Sequence, residues 1–408
     1  MERYDLLYRL YDTFDAAGVR EEQDFVDLLP PLDSRVGLSH WQAVADELSN
    51  EKARIRRSLP DGDRYAELAA RATRDQAFTA LDLYTKYGRA VNALVLDVDE
   101  TLRSAGSTDN EIPREVLHLL TEFHESGVPI VICTGQTLEN VKGFAIQGLG
   151  NELVHSGDVS IVYEAGTGVF TPGHGSDTKR LLYETLDESV QSVFESVRGR
   201  VIRDLPDELR GNVHLQGNEF NVTLKPNYET GSDDAEAVID GGLVYMLDLL
   251  GEAVTDDPAG PEWARAFYAE SDPEIESVLS DRDALPEAGV TDEIPDEVRE
   301  TFDRVTIAYY HADAAELSSV DLNKAAGVEA ALDVLGVDDP FVLVMGDSKS
   351  DLDVMVWVAE NDCGISAAPE HSSPGVLDHV RDTDGLVFDR GDASSMLRTI
   401  YALNLLVD

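Results

Sequence analysis

The chain is short of lysine, of cysteine and of long apolar runs, and each shortage excludes something. Of its 32 basic residues only seven are lysine, against 80 acidic residues, for a formal charge of -48 over 408 residues. So large a carboxylate excess repels itself unless salt screens it, so the composition predicts a protein adapted to multimolar salt. The same surface argues against general nucleic-acid or anionic-membrane binding. Cys133 and Cys363 stand singly and make no disulfide framework, which suits a reducing cytoplasm. The opening MERYDLLYRLYD lacks a secretory apolar region, and no apolar run approaches a membrane span. No repeat or low-complexity tract is present.

Against that acidic background one stretch stands out. Leu94-Val95-Leu96 runs into Asp97-Val98-Asp99-Glu100-Thr101, an apolar strand that ends in two carboxylates. A short apolar run bounded by polar residues reads as a buried strand of a parallel sheet, and open α/β sheets place ligands at that strand end. Alternation puts Asp97 and Asp99 on one side, where close carboxylates coordinate a hard cation or divide into nucleophile and acid. The bland alternative is an acidic strand edge in an acidic protein.

Before this strand, Tyr4 to Ala16, His40 to Arg57 and Tyr65 to Tyr87 carry apolar residues at helical spacing, broken at Pro30-Pro31, at Leu59 to Gly62 and at Gly88. Residues 51–90 hold nine basic and six acidic residues, a local +3. That window reads either as a face docked on acidic neighbours by ion pairs or as an anion or partner surface. After Asp99 come a loop, Arg103 to Ile112, a helix, Arg114 to Ser126, and a second buried strand, Val128 to Cys133, ending in Thr134-Gly135. This order makes a right-handed βαβ unit and brings Thr134 to the edge that holds Asp97. A hydroxyl and a free Gly135 amide there form a small anion site.

Val159 to Tyr163 predicts a further strand. From Gly211 to Leu224 the pattern alternates like a hairpin, and 22 acidic against 4 basic residues follow between Gly231 and Arg304. The parallel core is expected to resume at Val305 to Tyr309. Lys324 then precedes a helix, Ala325 to Leu335, and Phe341 to Gly346 forms a strand that ends in Asp347-Ser348-Lys349-Ser350-Asp351. Two last core strands, near Cys363 and Gly385, and a C-terminal helix complete the pattern. Gly166-Thr167-Gly168 lacks the third Gly and the context of a dinucleotide fingerprint.

Taken in order, Asp97-Val98-Asp99-Glu100-Thr101, Thr134, Lys324 and Gly346-Asp347 with Asp351 resemble the four motifs of the haloacid dehalogenase-like hydrolase superfamily. The resemblance covers 91–173 and 305–408. It implies an α/β, Rossmann-like parallel-sheet core, with 174–304 as an inserted α+β cap and 1–90 as a helical N-terminal extension outside the resemblance. The composition is similar to that of halophilic archaeal proteins. By resemblance, Asp97 is the nucleophile that forms an aspartyl phosphate, and Asp99 is the general acid and base. Thr134, Gly135 and Lys324 would bind the phosphoryl group. Asp97, the Asp99 carbonyl and Asp347 would bind Mg²⁺, with Asp351 holding a metal-bound water or orienting Lys324.

Two departures from the motifs are Glu100, where Gly is usual, and Lys349-Ser350 before Asp351. His214, Asn218, Asn221 and Lys225 on the hairpin are candidates to meet a polyhydroxy leaving group, and structural satisfaction of a small sheet explains each equally. The expected activity is hydrolysis of a small phosphorylated metabolite, by resemblance a sugar phosphate, in a cytoplasmic protein with no nucleic-acid or membrane partner. The N-terminal helices offer a surface for a homo-oligomer. Alternatives are a phosphomutase or phosphotransferase using the same aspartyl phosphate, or a binding protein that works through its helical N-terminus.

Overall fold

Alternation along the first motif strand sets the architecture. In the computed structural model, which describes residues 3–29, 35–103, 112–228 and 230–407 (backbone only at 144, 232 and 233), β1 (Ala93–Leu96) is buried on both faces. Leu94 and Leu96 join one apolar cluster, whereas Ala93 and Val95 join another on the opposite face. The same split recurs in β2 (Ile130–Cys133), so helices must cover the sheet on both sides, as a parallel sheet requires.

The larger sheet continues with β3 (Val159–Tyr163), β4 (Gly168–Phe170) and β5 (Lys179–Leu181). A second sheet is made by β6 (Val213–Leu215), β7 (Val222–Pro226), β8 (Val305–Tyr310) and β9 (Ala314–Ser319). The chain then returns to the first with β10 (Val342–Met345), β11 (Gly364–Pro369) and β12 (Leu386–Phe388). Strand order in the large sheet is β12-β11-β10-β1-β2-β3-β4-β5. The first six are parallel, and β4 and β5 add an antiparallel edge that periodicity did not reveal. Order reverses between β1 and β10, the switch point at which such sheets bind ligands.

The expected return to the parallel core at Val305 is not found. β8 pairs antiparallel with β9, which pairs with β7, so 305–319 belongs to the second sheet. The reason lies in the side chains: Val305, Ile307 and Tyr309 pack into the apolar cluster beneath that sheet, while Thr306 and Ala308 face away. Helices Glu188–Arg200, Ser232–Val254, Gly260–Ser271 and Pro273–Asp281 feed the same cluster.

Among the described residues, 3–29 and 35–87 form five helices rather than three. Helix Ala16–Leu28 escaped periodicity, and the run from Tyr65 to Tyr87 breaks at Thr73, which caps the second half reciprocally with Gln76. The breaks expected at Pro30-Pro31, and residues 104–111 of the expected Arg103 to Ile112 loop, lie outside the described residues. These helices do not stand apart. Leu7, Leu10, Ile55, Leu68 and Leu81 are buried in the cluster that holds Leu94, Phe123 and Leu397.

The local +3 window docks by ion pairs: Lys52 to Glu67, Arg71 to Asp27 and Glu122, Arg74 to Asp12, and Arg89 to Asp339.

Candidate active site

Parallel pairing delivers the motif residues to one edge. Leu96 lies level with Met345 on one side and Ile132 on the other, and the Asp97 amide donates to the Met345 carbonyl at 2.9 Å. Asp97, Thr134 and Asp347 therefore emerge from three adjacent strands at one level.

Lys324 reaches this edge from the start of helix Lys324–Leu335, whose N-cap Asn323 accepts from the Ala326 amide at 2.9 Å. Its ammonium, 2% exposed, lies 2.9 Å from Asp97 Oδ1 and 2.6 Å from Asp351 Oδ1. The other oxygen of Asp351 accepts from the Ser348 amide at 3.0 Å and hydroxyl at 2.6 Å. Asp351 is thus held from both sides, by the ammonium of Lys324 and by Ser348. Gly346 makes this possible, because a Cβ there would come within 2.4 Å of the Asp351 Cβ and Cγ.

Carboxylate oxygens of Asp97, Asp347 and Asp351 lie within 4.8 Å of one another. Three carboxyl groups face one buried ammonium, so the cluster carries a surplus of negative charge. Burial pushes Asp97 upward against the pull of Lys324, with Asp351 adding to the rise. Asp347 is pushed up to about 6 by burial and by the charge of Asp351. Burial alone would lower Lys324, but Asp97 and Asp351 outweigh it and hold its ammonium well above the ordinary range. A surplus of close oxygen donors that burial renders reluctant to ionise is a fit for a hard divalent cation.

Asp99 is placed differently. Its carboxylate lies outside that cluster, accepting from Arg103 (Nε at 2.9 Å, Nη2 at 2.5 Å) and from Gln136 Nε2 at 2.5 Å. Gln136 and Arg103 were not singled out in the sequence; only the proximity of Gln136 to Thr134 hinted at it. Thr134 is buried, and its hydroxyl accepts from the Gln136 amide at 3.1 Å, with Gly135 exposed beside it. Glu100 adopts φ 56°, the left-handed conformation that explains why Gly suits this position. Its carboxylate pairs with Arg390 at 2.7 Å. Lys349 is exposed at the start of its helix.

The hairpin candidates separate. His214 is exposed, opposite Lys225, and Lys225 pairs with Asp313 at 3.1 Å. Asn218 and Asn221 are buried and serve the fold: Asn218 donates to the Thr223 hydroxyl at 2.8 Å, Asn221 to the Glu164 carbonyl at 3.4 Å.

No family model matches the sequence. A putative phosphatase, YxeH of Bacillus subtilis (strain 168), is 22% identical over 285 residues, which is 70% of this chain and 89% of that protein. Among solved structures, Aspergillus fumigatus trehalose-6-phosphate phosphatase is similar at 15% identity and TM-score 0.44, over 80% of this chain and 97% of that one. A haloacid dehalogenase-like hydrolase from Bacteroides thetaiotaomicron is similar at 14% identity and TM-score 0.42, over 76% and 98%. The motif residues thus converge on one edge of an α/β sheet, and over 70% of its length the chain is similar to a putative phosphatase of Bacillus subtilis.

Proposed function

We propose that this protein is a Mg²⁺-dependent phosphatase that hydrolyses a small phosphorylated metabolite, a sugar phosphate by preference, through an aspartyl phosphate on Asp97. The observation that carries the reading is the buried Asp97–Lys324–Asp351 chain with Asp347 beside it. In this reading residues 182–319, with the second sheet, act as a cap over the edge.

An Asp97 oxygen attacks phosphorus in line, and the bond to the leaving oxygen breaks. Lys324 balances charge on the nucleophile and the transferring oxygens, which Thr134 and the Gly135 amide also hold. Asp99 gives the leaving alkoxide a proton and then takes one from the water that attacks the acyl phosphate, releasing phosphate and regenerating Asp97. To do so, one Asp99 oxygen must turn from Arg103 or Gln136 to the substrate. Asp97 and Asp347 would hold Mg²⁺, which when bound supplies charge neutralisation for the phosphoryl oxygens.

The test is p-nitrophenyl phosphate hydrolysis in multimolar KCl with Mg²⁺, comparing wild type, Asp97→Asn and an EDTA control. Turnover lost in both controls is the expected result. Equal turnover in Asp97→Asn would overturn the nucleophile assignment, and no turnover or beryllofluoride binding by folded wild type would overturn the phosphatase reading.

A further inference from the structure

The turn that follows β3 is absorbed by none of the steps above, although its backbone is unusual. Glu164, Ala165 and Gly166 all have positive φ (48°, 53° and 107°), unfavourable for the two that carry side chains. Such conformations persist only where surrounding contacts over-determine them.

Three sets of contacts do so. On the core side, the Glu164 amide donates to the Gln136 carbonyl at 2.9 Å and the Ala165 amide to the Thr134 carbonyl at 3.0 Å. Gln136 in turn holds Asp99. Towards the lysine, Gly166 lies so close to Asn323 that a Cβ would stand 1.9 Å from its carbonyl oxygen. Asn323 is the cap of the helix that begins at Lys324. Towards the second sheet, the Glu164 carboxylate, 1% exposed, accepts from the amides of Glu219 at 2.5 Å and Phe220 at 3.1 Å. Tyr163 adds a bond from its hydroxyl to the Glu219 carboxylate at 2.9 Å.

From this arrangement we infer that Glu164 is a positioning residue, whose carboxylate clamps the β6–β7 turn to the loop that aligns Thr134, Asp99 and Lys324. The inference rests on the phosphatase reading. A carboxylate suits the task because both oxygens accept, and the hairpin turn presents two main-chain donors to it. In Glu164→Gln one of those donors meets an amide NH₂ instead, so the turn loses an anchor while side-chain volume is kept.

The experiment compares wild type, Glu164→Gln and Tyr163→Phe, full length and with Mg²⁺, for p-nitrophenyl phosphate turnover, thermal midpoint and amide exchange at Glu219 and Phe220. In Glu164→Gln both amides should exchange at least about tenfold faster, and kcat should fall about 10- to 100-fold with KM little changed and the thermal midpoint nearly kept. Tyr163→Phe should shift both in the same direction by less, and it decides the matter if Glu164→Gln does not fold. Unchanged exchange, or faster exchange at wild-type kcat, overturns the clamp alone. A wild type without turnover removes the phosphatase reading, and this inference with it.

Discussion

Asp347 shows how charge at single residues controls the site. Its carboxyl is pushed up to about 6, above the ordinary value near 4, so in the metal-free protein the folded state holds its proton more tightly than the unfolded chain. That contribution to stability is complete below pH about 4 and is lost as pH rises through about 6. A divalent cation acts in the opposite sense, because it binds only the deprotonated group. The Mg²⁺-induced rise in thermal midpoint should therefore be larger at pH 8 than at pH 5, because Asp97 and Asp347, both raised by burial, must each be deprotonated to hold the ion. Calorimetric scans with and without Mg²⁺ at the two pH values check this. An equal rise at both would remove Asp347 from the metal site.

At the scale of elements, the N-terminal helices are tied to the sheet layer by a buried ionic group. Arg71, on helix Gly62–Arg71, donates to Asp27 at 2.8 Å and to Glu122, on helix Arg114–Glu125, at 3.0 Å. Arg398, on the C-terminal helix, reaches Asp24, Glu115 and the Arg71 carbonyl. Arg71→Met keeps the volume but leaves Asp27 and Glu122 without their cation, which should cost about 3–5 kcal/mol. Guanidine-free urea titrations at fixed KCl measure it, and a loss below about 1 kcal/mol would show that the joint is apolar only. The basic window around Arg71 pointed to docking by ion pairs but not to the partners, because an arginine 44 residues from its carboxylate leaves no local signal of which one it meets. The motif strands were legible, since a strand buried on both faces writes an unbroken apolar run that ends at its functional carboxylate. β8 was misread for a related reason: Val305, Ile307 and Tyr309 are apolar at period two, and only their burial on one face distinguishes a cap strand from a core strand. Glu164 gave no signal, as its role depends on which amides the fold brings to it.

Over the whole molecule the formal charge of -48 is spread unevenly. Between residues 231 and 304, 22 acidic residues face 4 basic ones, a local 4 − 22 = −18, and this segment packs on the second sheet rather than the catalytic one. Repulsion within that segment, and between it and the acidic core, opposes both folding and approach of the second sheet to the active edge. Its range is set by salt, with a Debye length of about 10 Å at 0.1 M and about 3 Å at 1 M. Raising KCl from 0.1 to 1 M should therefore raise the thermal midpoint steeply, and further addition to 3 M should add less if screening is the whole cause. Site-resolved hydrogen exchange separates the two sheets: protection of β6–β9 should respond to salt more than that of β1–β3, whose carboxylates are paired or shared with Lys324. Uniform protection gains would instead mean that salt acts through general exclusion from the surface, and a midpoint indifferent to KCl would show that the arginine pairs already balance the charge locally.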